Sequence, residues 1–138
     1  MAFLFQLKFQ AVGCDPLDPS RQLNLIEQLN QTFTYLASFN GAAFLFERYP
    51  KVQSLSLNLG TSSGFDIQTA EGGGIAAEVF AAVTPQNNRK LTNDVEKVSV
   101  ANAKYRYVFF MSPEHEAGPY RGTPKVKGVT VWSLGCSL

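Results

Sequence analysis

The stretch Ile75-Ala76-Ala77-Glu78-Val79-Phe80-Ala81-Ala82-Val83 decides how the chain is read. With a period of two, Ile75, Ala77, Val79, Ala81 and Val83 share one face, and Ala76, Glu78, Phe80 and Ala82 share the other. Both faces are largely apolar, which predicts a central strand covered on both sides and ended by Pro85. Glu78 is the anomaly in it. A buried carboxylate without a partner is costly, so Glu78 requires a metal ion, a basic side chain or backbone donors.

Upstream of this strand, Glu71-Gly72-Gly73-Gly74 reads as a turn and Phe65-Asp66-Ile67-Gln68 as a short strand. If the two strands pair, Asp66 and Glu78 meet. Leu55, Leu57 and Leu59 alternate with polar residues as a further strand. Before that, Asp18-Pro19 reads as a helix start. Leu23, Ile26, Leu29, Phe33, Leu36 and Phe39 then recur at three- and four-residue spacing as a buried stripe. Asn40-Gly41 is a place where this helix could bend, and Tyr49-Pro50 ends it. At the start of the chain Phe3, Phe5, Leu7 and Phe9 alternate with Gln6 and Lys8, which predicts a strand over Met1 to Phe9.

Downstream, Asn87 or Asn88 is the expected cap of a second helix. Leu91, Val95 and Val98 form its buried stripe, with Lys90, Asp94 and Lys97 as an adjacent polar one. Tyr105 to Met111 follows as an aromatic strand, Pro113 to Lys127 as a polar loop and Val129 to Leu134 as a last strand. The order predicts one α/β domain over residues 1–138, with a mixed central sheet flanked by helices and extra strands at the N- and C-terminal ends.

Composition excludes several classes. The chain has 138 residues, 45% of them hydrophobic and 17% charged, with a formal net charge of +1, which is incompatible with intrinsic disorder. Two cysteines, Cys14 and Cys136, cannot make a disulfide scaffold, and the plain expectation is reduced thiols in a cytoplasmic protein. The longest apolar stretches, such as Ala42 to Phe46, are far short of a membrane span. No convincing export signal opens the chain. Up to Thr84 there are 4 basic against 7 acidic residues, and from Pro85 onward 8 basic against 4 acidic. That asymmetry is compatible with an acidic pocket beside a surface that tolerates phosphates.

The order helix, three strands, helix, strand, with Phe65-Asp66-Ile67 on the second strand, Ala77-Glu78-Val79-Phe80 on the third and Asn88-Arg89-Lys90-Leu91-Thr92-Asn93-Asp94 on the helix, resembles the PD-(D/E)XK, or restriction-endonuclease-like, nuclease superfamily. The likeness covers roughly Arg21 to Ser112 and rests on a short, degenerate motif. It implies a restriction-endonuclease-like core in which Asp66 and Glu78 bind Mg²⁺ and a lysine orients or activates the attacking water at a phosphodiester of DNA. The chain departs from the pattern at Phe80, which stands where that lysine is expected, two residues after Glu78. Lys90 is then the candidate that supplies it from the following helix, against the plainer alternative of a pair with Asp94 four residues on.

Glu27, on the first helix, is a weaker candidate for a third carboxylate. Gln31-Thr32-Phe33-Thr34-Tyr35 has the spacing of a QxxxY motif on the wrong helix and reads as a decoy. His115, the one histidine, cannot build a multi-histidine metal site. The expected partners are nucleic acid, with DNA favoured, and a second copy of the chain as a homodimer, with no membrane. Two alternatives stay open. One is a catalytically inactive binding or assembly protein on the same fold, for which Phe80 is the argument. The other is a small α/β ligand-binding or structural domain in which Glu78 pairs with Arg89 or Arg106.

Overall fold

The strand around Glu78 lies inside a six-stranded mixed sheet. A computed structural model describes residues 1–60, 63–71 and 73–136. Chain order is α1 (Ala2–Phe9), β1 (Ala11–Cys14), β2 (Gln22–Asn24), α2 (Leu25–Arg48), β3 (Leu55–Leu57), β4 (Ile67–Thr69), β5 (Gly73–Ala81), α3 (Lys90–Ser99), β6 (Ala103–Met111), β7 (Gly118–Pro119) and β8 (Val129–Ser133). The main sheet runs β3-β4-β5-β6-β8-β7, and β1 and β2 form a separate ribbon. From β3 to β5 the pairing is antiparallel. The pairs β5–β6 and β6–β8 are parallel, with α3 connecting β5 to β6.

The expected two-sided burial of the central strand holds, because each face of β5 has its own helix. Ile75, Ala77 and Val79 pack with Ile67 and Phe109 against Ala37, Ala42 and Leu45 of α2. On the opposite face, Phe80, Val108 and Phe110 pack against Leu91, Val95 and Val98 of α3. The helical stripe Leu91, Val95 and Val98 is therefore buried as its spacing predicts. Burying each such large apolar side chain contributes about 1.5 to 3 kcal/mol.

Four expectations are corrected. Met1 to Phe9 is a helix, α1, not a strand. Ala2–Phe9 holds no β-branched residue and has Leu, Gln and Lys, which favour helix; Phe5 and Phe9, one turn apart, bring their ring centroids within 4.9 Å. The N-terminal strands present are those of the β1–β2 ribbon. The long helix starts at Leu25, not after Asp18. Asp18 instead accepts the Ser20 N–H at 3.1 Å within a turn, and Asn24 caps α2 with a reciprocal box: Glu27 N–H donates to Asn24 Oδ1 and Asn24 N–H to Glu27 Oε2, each at 2.9 Å.

The apolar stripe of α2 is turned outward. Ile26, Leu29, Phe33, Leu36 and Phe39 are exposed, and the helix buries Ala37, Ser38, Gly41, Ala42 and Leu45. Apart from Leu45, the helix supplies small side chains at this contact, because the sheet supplies large ones. A Cβ on Gly41 would lie 3.2 Å from both Ile67 Cδ1 and Phe109 Cδ2, so Gly41 marks close approach and not a bend, and α2 is continuous across it. Fourth, the second helix lacks its expected asparagine cap: its N-cap is Arg89, with no side-chain cap bond. Of the expected glycine turn, Gly72 lies outside the described residues, and Gly73 and Gly74 open β5. Among the described residues no helix is long and apolar enough to cross a membrane.

Candidate functional site

The β4–β5 register pairs Ile67 with Ala77 and Gln68 with Ala76. Continued by one residue, it sets Asp66 opposite Glu78. Because Ile67 and Ala77 belong to the α2 side of the sheet, the two acids belong to the α3 side, with period-two alternation placing them together. Asp66 sits just before β4, where its Oδ2 accepts the Val79 N–H at 2.7 Å. This bond ties the acid to the strand bearing Glu78.

Glu78 is only 3% exposed and Asp94 likewise. Asp94 comes into the site from α3, in the polar stripe beside the buried one. Three carboxylates thus lie within electrostatic reach of one another, and two lysines of α3 answer them. Lys97 Nζ is 2.8 Å from Glu78 Oε1 and donates to the Gly64 carbonyl at 2.7 Å. Lys90 Nζ is 2.7 Å from Asp94 Oδ1. The Lys97–Glu78 contact is a close ion pair without the alignment of a good hydrogen bond, and Asp94 Oδ2 is buried without a hydrogen-bond partner among the described residues. Both lysines also lie over aromatic rings, Lys97 at 5.6 Å from the Phe65 centroid and Lys90 at 5.9 Å from that of Phe80.

Burial raises the Glu78 carboxyl above its ordinary value; Lys97 opposes the rise, and the neighbouring Asp66 and Asp94 add to it. Asp94 is raised as well, again first by burial, with Lys90 pulling it back and Asp66 pushing it up. The site is therefore an acidic cluster held in partial balance by cations, on a face where desolvation favours protonation or a bound cation.

The strand expected over Phe65 to Gln68 is Ile67–Thr69, so Asp66 lies just outside it, opposite Glu78 in the continued register and close enough for the two carboxyls to interact electrostatically. Lys90 makes the plain i, i+4 pair with Asp94, and at the same time its amine lies over the Phe80 ring, the side chain standing where the strand lysine is expected. The suggested Glu78 partners are corrected. Arg106 Nε donates to the Ala101 carbonyl at 3.0 Å, and Glu78 pairs with Lys97. Glu27 is taken up in the α2 cap, and Gln31 donates to the Tyr35 hydroxyl at 2.6 Å on the same helix, so neither enters the site. His115 is half-buried and packs edge-on against Phe110 and Tyr120.

Sequence reasoning did not assign Asp94 and Lys97 to the site. The signal was present: Lys90, Asp94 and Lys97 recur at helical spacing beside the stripe that seats α3 on the sheet, so they must border the strand face that carries Glu78. Lys90 itself is launched by Asn88 and Arg89, two consecutive non-glycine residues at φ 52° and 57°. Such conformations cost on the order of 1 kcal/mol each and cluster at functional sites.

Among the described residues no three histidine, cysteine, aspartate or glutamate side chains form a ready-made metal cage. The donor set is nevertheless all oxygen and includes an orphaned buried atom, Asp94 Oδ2. Mg²⁺ is commonly held by one or two carboxylates with water and substrate phosphate completing its shell, so the chemistry of these donors fits that ion. A cleft of about 370 Å³ lined by Phe33, Ala81, Val83, Met111 and Cys136 opens beside α2. None of its lining residues is charged, and none is one of the three acids. Comparison with family models, with curated proteins and with solved structures returned no match.

Proposed function

We propose that the chain is a metal-dependent nuclease hydrolysing phosphodiester bonds of DNA, with Asp66 and Glu78 as the Mg²⁺ ligands and Lys90 as the helix-borne amine of the site. The observation that carries the reading is the cross-strand juxtaposition of Asp66 and Glu78 on the α3 face. It occurs within the order α2, β3, β4, β5, α3, β6, and that order of helix, three strands, helix and strand supports the restriction-endonuclease-like reading. The position of Lys90 over Phe80 supports its use in place of a strand lysine. When bound, the metal would supply Lewis-acid polarisation of the phosphodiester and a more acidic water. The protein's own contribution is to hold two carboxylates side by side in a poorly solvated place and to keep lysine charge within reach of a phosphate. The basic residues after Pro85 would contact the backbone of the nucleic acid.

The test is cleavage of supercoiled plasmid with Mg²⁺ or Mn²⁺. The native chain should nick the DNA, Asp66→Ala and Glu78→Gln should each lower the rate by about 100-fold or more, and Lys90→Ala should lower it while circular dichroism stays unchanged. Cleavage that survives Asp66→Ala removes the reading.

A second reading is a catalytically inactive nuclease-fold protein that binds or assembles. The ion pairs favour it: Lys97 already neutralises Glu78 and Lys90 already neutralises Asp94, so the acids are balanced without a metal. It predicts a folded chain with no cleavage and no Mn²⁺ binding.

A further inference from the structure

The outward stripe of α2 and the uncovered α1 point to a partner surface on the side of the sheet away from the acidic cluster. On α2, Ile26, Leu29, Phe33 and Leu36 are each 39% to 48% exposed. Their spacing of three and four residues continues through Asn40 and Ala43, also exposed. This is the a/d repeat of a helix that packs against another helix. The helix α1, which rests on α2 and β2, buries no residue, and its Phe3, Leu4, Phe5 and Phe9 are 63% to 68% exposed. An eight-residue helix is not stable on propensity alone, and this many exposed large apolar side chains on two touching helices mark an interaction site.

The extent of the surface agrees. The chain exposes 8853 Å², against about 7,100 Å² for a folded monomer of 15.2 kDa. The excess, roughly 1,700 Å², is more than the ~800 Å² that each partner buries in a standard interface.

We propose that this face is an isologous dimer interface, in which α2 of one copy packs along α2 of a second copy with the two α1 helices covering the flanks. A stripe repeating at 3.5 residues is complementary to itself, which a two-fold interface requires. Charge favours the antiparallel arrangement: α2 carries Glu27 in its first turn and Arg48 in its last, so two antiparallel copies bring unlike ends and opposed helix dipoles together. A lipid surface is disfavoured, because α1 carries one cation, Lys8, and no basic rim to meet anionic headgroups. Since Asp66 and Glu78 lie on the α3 side, the dimer stands or falls separately from nuclease activity.

Light scattering and sedimentation of the full chain should give twice 15.2 kDa. Leu29→Glu combined with Leu36→Glu should weaken self-association about 100-fold or more, whereas Val100→Glu, at an exposed site outside the stripe, should leave it intact. Hydrogen exchange of the unsubstituted chain supplies a measure free of folding effects: amides of α1 should be protected at high concentration and lose protection on dilution. A monomer at every concentration overturns the proposal. So does a dimer that persists with both leucines replaced and the fold retained, or a monomer that binds phosphatidylglycerol vesicles through α1.

Discussion

Lys97 shows how much of the candidate site rests on one side chain. It pairs with a carboxyl that burial pushes above its ordinary 4.5. A carboxyl raised on folding contributes stability below its unfolded value and loses that contribution as pH climbs through the folded one. Removing Lys97 raises Glu78 further, so the damage should grow with pH. We predict that Lys97→Ala destabilises the fold by about 1 to 2 kcal/mol at pH 8 and by less at pH 5. Breaking a fully buried pair costs 3 to 5 kcal/mol, a value reduced here because Lys97 is nearly half exposed to screening water. Urea denaturation at the two pH values measures it, and Glu78→Gln in the same background should shrink the pH dependence, leaving the part that the raised Asp94 carries. An equal loss at both values would show that Lys97 serves only as packing.

At the scale of elements, pattern was legible where packing obeyed the simplest rule and misleading where it did not. β5, β6 and α3 follow their periodicity, because each is covered by a neighbour with matching large side chains. In α2 the strongest apolar stripe faces outward, since Ile67, Tyr107 and Phe109 fill most of the space under the helix and admit mainly the small Ala37, Ser38, Gly41 and Ala42, with Leu45 the one large side chain of α2 buried there. Period alone cannot tell an outward seam from an inward one. Glu78 was legible because a carboxylate on a covered strand is anomalous, and Asp66 only through the pairing that sets it opposite Glu78; Asp94 and Lys97 were not, because on a helix the same residue types read as a solvated face. The start of α2 was missed for a related reason. Asp18-Pro19 and Asn24 with Glu27 are both good starts, and the β1–β2 ribbon holds residues 22–24 extended, so the later one prevails. Asn24→Ala should therefore cost about 1 kcal/mol of stability, read as a lower urea midpoint with unchanged m-value. No change in the midpoint would mean that tertiary contacts alone hold this end of the helix.

For the whole molecule, the sheet separates two surfaces with different chemistry. One carries an acidic cluster with lysines of α3 over it, and the other an apolar seam with a bare terminal helix. Self-association through the second would leave the first open, so two sites would face outward from a dimer. The claim on which the functional reading depends is that Asp66 and Glu78 together hold a divalent cation. Titration of the chain with Mn²⁺, followed by amide line broadening in nuclear magnetic resonance, tests it directly. Broadening at sub-millimolar Mn²⁺ should centre on residues 65–67 and 77–79 and vanish in Asp66→Ala. Broadening centred elsewhere, or unchanged in that variant, contradicts it.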